Sequence, residues 1–305
     1  MTTLITKNSS TAGAAPVAGD LVQGELAVNV TDKKLYTKDS GGAIVSVGAQ
    51  LDANNPTAAD TVTLGAGAGS LIGSANIQNT FIGSGAGASF SAGTGRSHVA
   101  IGHDAMSLAT FGTGHVAVGE LALKNITGTN YATAVGTSAG QNCTSGGLSS
   151  VFIGILAGSG VTTGTQNVCI GFNSNPTSAT SSYQFTLGHT DIQTLRCNQT
   201  SITSLSDARD KTDIVDTPYG LDFINSLQPR QFKWATRDGN IKDGKVEQGF
   251  IAQELLEAAG TNKADLNLVL EDNPNKLEAS AGNLMPILVK AIQELTARVA
   301  ELENN

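Results

Sequence analysis

A serine and a lysine five positions apart, Ser206 and Lys211, stand in the segment SITSLSDARDKTDI at residues 201–214. A lysine amine that sheds its proton in a partly desolvated site can take the proton of a serine hydroxyl and leave an oxygen able to attack a carbonyl. The same spacing also suits a plainer reading, since a Ser followed by an Asp makes a turn or a helix cap. Asp207 and Arg209 lie between them and fit either a positioning role or a structural ion pair. The other reactive side chains are sparse. Three cysteines, Cys143, Cys169 and Cys197, form no CxxC and no even set, so neither a disulfide framework nor a zinc knuckle is indicated, and buried small apolar residues are expected. Four histidines, His98, His103, His115 and His189, fall beside repeated strand motifs, where they read as stacked or solvated rings or as a line of metal ligands down an oligomer axis.

The elements that hold these residues differ on the two sides of residue 205. Residues 1–205 contain 7 basic and 9 acidic side chains with 30 of the 36 Gly, whereas residues 206–305 contain 11 basic, 17 acidic and 6 Gly. In the first part a short β-type run closed by Gly recurs eight times, at Gly65, Gly83, Gly102, Gly119, Gly136, Gly154, Gly171 and Gly188, at intervals of 17 to 19 residues. An Ala follows three positions after six of these Gly residues, from Ala68 to Ala157, with Ser174 after the seventh. One such unit cannot bury its own apolar face, so it must stack on its neighbours, and seven steps of about 4.8 Å give a shaft of about 35 Å. Only one strong apolar strand per repeat is visible, which favours closure of each layer by three chains. Ahead of the repeats, Gly24 to Gly48 holds two β-type runs, Leu26 to Thr31 and Ala43 to Val47, around a charged turn.

After residue 205 the pattern is α+β. GLDFINSL at 220–227 is spaced as a helix stopped by Pro229, QFKWA at 231–235 alternates as a strand, and GFIAQELLE at 249–257 runs from a strand into a helix. Leu284 to Leu302 carries heptads, with Met285, Ile292 and Val299 at a and Leu288, Leu295 and Leu302 at d. That seam serves either a partner helix or an intramolecular core. β-branched a with Leu d favours two strands in parallel coils, so a trimer would have to be fixed by the shaft and the preceding domain.

Four blocks in order, SDARDKTDI, GLDFINSLQPRQFKW, GFIAQEL and LMPILVKAIQEL, resemble the self-cleaving intramolecular chaperone domain at the carboxyl end of phage tail fibres, tailspikes and endosialidases. The likeness covers residues 201–305 and departs at Leu277 to Asn283, where Glu-Ala-Ser-Ala-Gly replaces an expected aromatic. The resemblance implies a domain that trimerises, templates the shaft and is then released. It implies a cut between Leu205 and Ser206, with Ser206 as nucleophile, Lys211 as general base, and Asp207 and Arg209 as motif support. The repeats are more weakly similar to β-repeats of phage fibres and trimeric adhesin heads, and GELAVN to the openings of other phage fibre proteins.

The expectation is therefore an elongated trimeric β-repeat shaft followed by an α+β chaperone domain ending in a coiled-coil-like helix. Its divisions are a small β module for virion attachment at 1–50, the Gly-rich shaft at 51–200 and the autoproteolytic domain at 201–305. The expected partners are two further copies, a tail or adaptor protein at the amino terminus, and a host surface polysaccharide or protein. No cofactor or metal is expected. A net charge of −8 with dispersed basic residues argues against nucleic acid. No apolar run is long enough to span a membrane and the first residues lack a secretory signal, so the chain is expected to be made and folded in a cytoplasm; the resemblance to phage fibres implies that of a host, with residence in the virion tail. A tailspike depolymerase is the enzymatic rival, disfavoured because only Asp104, Glu120 and Asp191 are acidic between residues 61 and 205. A fibre with a purely structural role is the other. Any peptidase activity would be a single self-cleavage rather than turnover of an external substrate.

Overall fold

Gly at the end of each repeat strand dictates how closely successive turns of chain can stack. The computed structural model describes residues 7–32, 34–46, 61–72, 78–90, 96–127, 131–144, 149–198, 202–237 and 239–304. The expected boundaries near residues 50 and 201, and Val47 of the second amino-terminal run, lie outside these residues.

The amino-terminal module is a four-stranded sheet of β1 (Lys7–Ser9), β2 (Leu26–Asn29), β3 (Lys34–Lys38) and β4 (Ile44–Ser46) in sequence order. β1 pairs parallel with β2, and the other pairings are antiparallel. The stretch expected to be a charged turn thus contains a strand. Lys34, Leu35, Tyr36, Thr37 and Lys38 lie within it, and pairing on both sides outweighs the low strand preference of lysine. Buried Asn29 locks the module: its amide donates to the carbonyls of Thr11 and Ala14 and to Asp32, while its Oδ1 accepts from the N–H groups of Thr31 and Asp32.

The repeats form a parallel solenoid. Among the described residues its sheet has eight strands, β5 (Val62–Leu64), β6 (Thr80–Ile82), β7 (Val99–Ile101), β8 (Val116–Val118), β9 (Thr133–Val135), β10 (Val151–Ile153), β11 (Val168–Ile170) and β12 (Phe185–Leu187), stacked in sequence order. Each pairing is in register with the Gly-closed motif, as Val99↔Val116 and Ile101↔Val118 illustrate. The central residue of each strand from β6 to β11 points inward, and so do the alanines three positions past the Gly, from Ala86 to Ala157. Phe90, Met106, Leu123, Ile126 and Val161 fill the rest of the interior, completely buried.

The core therefore closes within one chain, because alanines and turn residues supply the missing walls; three chains are not needed to complete a layer. Cys143 and Cys169 belong to this core, and burial pushes the Cys143 thiol up to about 12. Cys197 departs from expectation and is exposed, since it follows the last strand and has no further coil above it.

Gly119 shows why the strand must end in glycine. Its φ is +135°, and a Cβ built there would lie 2.5 Å from the carbonyl oxygen of Gly136 in the next turn. Gly119→Ala is expected to lower stability by about 3 kcal/mol or more, from the strained φ and the forced separation of turns. Thermal melting of the full chain measures this, and an unchanged melting temperature would refute it.

One inner corner carries a polar ladder in which a side chain accepts the backbone N–H of the same position one turn later. Asn79 Oδ1 accepts from His98 N at 3.0 Å, His98 Nδ1 from His115 N at 3.2 Å and His115 Nδ1 from Ala132 N at 3.3 Å. Asn167 Oδ1 accepts from Gln184 N at 3.0 Å. The rings of Phe81, Phe90, His98 and His115 stack in succession, with centroids 5.4, 4.6 and 5.1 Å apart. His98 also donates from Nε2 to Gly112 O at 3.1 Å, which requires the neutral ring. Burial, aided by His115 alongside, lowers its pKa from 6.5 to about 3. The unfolded chain then binds a proton that the folded chain refuses between about pH 6.5 and 3. Stability from this group is complete above that window and falls as the pH drops through it, by about 5 kcal/mol at most. His98→Asn keeps a ladder acceptor and is expected to flatten the acid limb of a plot of melting temperature against pH. An equally steep limb in the variant would remove His98 as its source.

The carboxyl-terminal unit contains α1 (Leu221–Ser226), the hairpin of β13 (Arg230–Lys233) and β14 (Val246–Gly249), α2 (Ala252–Ala259), α3 (Lys263–Leu266), the short pair β15 (Val269–Leu270) and β16 (Glu278–Ala279), and α4 (Met285–Glu303). Leu227, Leu255, Leu266, Leu268, Leu284 and Ile287 form its core, with Tyr219, Phe223 and Phe250 against it. Glu294 of α4 accepts from Leu221 N at 2.7 Å, capping α1, and Gly220 leaves the room for that carboxylate. None of the helices among the described residues is long and apolar enough to cross a membrane.

Candidate active site and family

Ser206 and Lys211 are brought together by a single turn of 3-10 helix, Ala208–Asp210. Asp207 caps that turn, accepting from Arg209 N at 2.9 Å, and Lys211 ends it with its N–H on Ala208 O. The reversal of the chain carries Lys211 Nζ to 2.5 Å from Ser206 Oγ, with Ser206 O at 3.2 Å. Arg209 grips the Asp207 carboxylate with Nε and Nη2, at 3.0 and 2.6 Å, which is the ion pair of the two alternatives. The Arg209 guanidinium and then its backbone N–H hold the Asp207 carboxyl below its ordinary range. A negative Asp207 is what the cap and the clamp both need.

Leu205, on the amino side of Ser206, is fully exposed, and residues 202–216 lie at the surface throughout. Leu205 and Ser206 are thus both accessible to solvent. Dry surroundings for the lysine are not supplied by this segment itself.

The histidines divide. His98 and His115 are inside the solenoid, whereas His103 and His189 are at its surface near Glu120 and Asp191. Among the described residues no group of three or more His, Cys, Asp or Glu is placed to hold a metal ion. The scattered acids of the shaft are engaged singly, Asp104 with Lys124 at 3.4 Å and Asp191 with His189 at 3.1 Å.

The chaperone-like unit also touches the last coil of the shaft, a contact with no signal in the sequence. Asp272 accepts from Gln184 Nε2 at 2.8 Å, and Asn273 donates to Thr177 O at 2.7 Å, both from the loop between β15 and β16. Lys245 reaches Gln193 at 2.8 Å.

A family model described as chaperone of endosialidase matches residues 206–263, beginning at the serine of the Ser–Lys pair and ending where α3 begins. Residues 206–263 are a chaperone-of-endosialidase domain. The chain is also 44% identical over 48 residues to the Long tail fiber protein Gp37 of Enterobacteria phage T2, and 50% identical over 42 residues to that of Escherichia phage AR1. These stretches are 16% and 14% of this chain and 4% of either relative, so the chain matches only a small fraction of the relatives' length. No solved structure matches. Beyond the matched residues, the same hydrophobic core continues through β15, β16 and α4, because Leu268, Leu284 and Ile287 complete what Leu255 and Leu266 begin.

Proposed function

We propose that the chain is a tail-fibre component of a virion, assembled as a homotrimer in the host cytoplasm. Its amino-terminal module joins the tail or an adaptor protein, its shaft meets a host receptor, and its terminal domain guides assembly and is then released by self-cleavage. The observation that carries this reading is the order of parts: a chaperone-of-endosialidase domain directly behind a β-solenoid, in a chain with tail-fibre relatives. We divide the chain into an attachment module at 1–50, a shaft at 51–200 and a chaperone domain at 201–305.

Two exposed apolar surfaces favour association. In α4 the face carrying Ile287 and Ala291 is buried against the domain, while all six heptad residues, from Met285 to Leu302, are 39 to 76% exposed. In the shaft the outward residues of the strands are Val, Ile, Leu, Thr and Phe, so the sheet is apolar on its outer face as well. Contiguous apolar surface of this extent belongs to an interface. A shaft made from stacked parallel strands forms slowly, and a trimerised terminal domain raises the local concentration of the three shafts.

Cleavage proceeds as an N-to-O acyl shift. As Oγ attacks the Leu205 carbonyl carbon, the Ser206 hydroxyl proton passes to the nitrogen lone pair of Lys211. The Leu205–Ser206 amide bond breaks, the nitrogen receives the proton, and an ester joins Leu205 to Oγ. Water hydrolyses that ester, giving the Leu205 carboxylate and restoring the Ser206 hydroxyl. Removing the template afterwards leaves a kinetically trapped fibre.

Immunogold labelling with antibody to the shaft is expected to decorate virion tails, and light scattering on the purified uncut chain to give three times its 31.1 kDa mass. Label elsewhere on the virion rejects the tail reading, and a monomer rejects the trimer.

A further inference from the structure

The residue two positions ahead of each strand from β6 to β12 has a positive φ, forming a column up one outer corner of the solenoid. In its upper half the column reads Tyr131, Ser149, Gln166 and Tyr183, with φ between +53° and +63°. A bulky residue with such a φ is an outlier, kept only where its surroundings fix it. Here they do: Tyr131 N bonds Thr113 O at 2.9 Å and Tyr183 N bonds Thr165 O at 3.0 Å, each one turn below. The fold itself does not call for tyrosine, because Gly114 and Ser149 fill the same position in other turns. Yet the two rings are 61 and 79% exposed, so the strain is not offset by packing in a core. Gly114 leaves room for the Tyr131 ring: a Cβ there would stand 3.0 Å from its Cδ1.

The two tyrosines are three turns apart, about 14 Å at 4.8 Å per turn. Ser149 and Gln166, both exposed, lie between them. From residue 125 to residue 190 there is no Asp, Glu, Lys or Arg. An aromatic, a hydroxyl, an amide and a second aromatic, on a stretch of shaft with no charges of its own and with the Asp272 carboxylate of the terminal unit reaching it at Gln184, present flat apolar faces and neutral hydrogen-bonding groups in alternation. That chemistry matches a sugar chain, whose rings offer C–H faces and whose edges offer hydroxyls. It does not match a charged partner, which this surface cannot neutralise, nor a purely apolar one, which would leave Ser149 and Gln166 without hydrogen bonds.

We propose that the Tyr131–Ser149–Gln166–Tyr183 column binds a neutral oligosaccharide of a host surface. The rings of Tyr131 and Tyr183 stack on two sugars, and Ser149 and Gln166 bond the hydroxyls between. This inference rests on the receptor-binding reading above, and gives it a place on the shaft and a ligand class.

The test applies the full-length protein to immobilised neutral gluco-, galacto- and manno-oligosaccharides, with sialylated and sulfated glycans as comparators, at low and high salt. Adsorption to cells of the phage host is measured in parallel. Expected are binding to a neutral glycan that salt leaves unchanged and a loss of at least tenfold in Tyr183→Gly and in Tyr131→Gly. Glycine is at ease at these φ values, so the melting temperature and trimer of both variants should be preserved, which a merely structural tyrosine would not allow. Undiminished glycan binding by the double variant, binding to charged glycans alone, or loss of the trimer in the variants overturns the proposal. Wild-type protein that adsorbs to cells but binds no neutral glycan overturns the proposal and spares the receptor reading. Wild-type protein that fails to adsorb overturns both.

Discussion

Ser206→Ala is expected to yield an uncut chain of 305 residues, and the wild type to separate into residues 1–205 and 206–305. The hydroxyl oxygen is the attacking atom, and alanine offers none, so fragments disappear from the intact-mass spectrum. Lys211→Ala should slow the cut by about 10²- to 10⁴-fold, the range for loss of a positioned general base. Lys211→Arg is the sharper comparison: it keeps the positive charge and hydrogen-bonding reach, but a guanidinium does not give up its proton, so the arginine variant should also remain uncut. Fragments at wild-type rate in Ser206→Ala would eliminate the serine. Cleavage surviving in Lys211→Arg would show that the lysine positions Ser206 electrostatically and does not take its proton. Asp207 holds the turn that spans the two residues, so Asp207→Ala should slow cleavage less than either, by loosening the 2.5 Å approach of Nζ to Oγ.

The second large effect concerns assembly. Ile292→Asp with Leu295→Asp is expected to turn the trimer into a monomer and to leave the shaft largely misfolded. These residues occupy neighbouring a and d positions at the middle of the exposed seam of α4. Full burial of a Leu or Ile side chain contributes about 1.5–3 kcal/mol, and an unpaired carboxylate forced into the same contact adds a larger penalty. Repeated in three chains, the double change outweighs an association of ordinary strength. Gln293→Asp, exposed on the same helix but outside the seam, serves as control and should keep the trimer. Since Ile287 and Ala291 anchor the adjoining face, about a quarter-turn from the seam, α4 should still dock on its own domain, and a retained domain core can be read by hydrogen exchange at Leu255 and Leu266. A trimer that survives the double substitution would assign oligomerisation to the shaft alone.

Several features were legible in the residues because they are local. The interval of 17 to 19 residues fixed the number and register of the strands β5 to β12, since a short β-type run followed by a Gly that no side chain could replace marks each turn. The helices at 221–226, 252–259 and 285–303 followed from apolar spacing and the stop at Pro229. Spacing left Ser206 and Lys211 as either a chemical pair or part of a turn and cap, and the structure shows a 3-10 turn capped by Asp207 with Nζ and Oγ in contact across it.

β3 was missed because its lysines describe a turn in isolation, and only pairing with β2 and β4 makes them a strand. The contact of Asp272 and Asn273 with the last coil joins residues about ninety positions apart and leaves no periodic trace.

The sequence by itself determined the period of the shaft and the site of the step in composition near residue 205. Only the tertiary structure decided that one chain closes each coil, that His98 and His115 lie inside while the heptad seam of α4 lies outside, and that Tyr131 and Tyr183 share a corner. The physical reason is that spacing along the chain sets which residues recur, whereas burial is set by what the neighbouring turn or helix places against them.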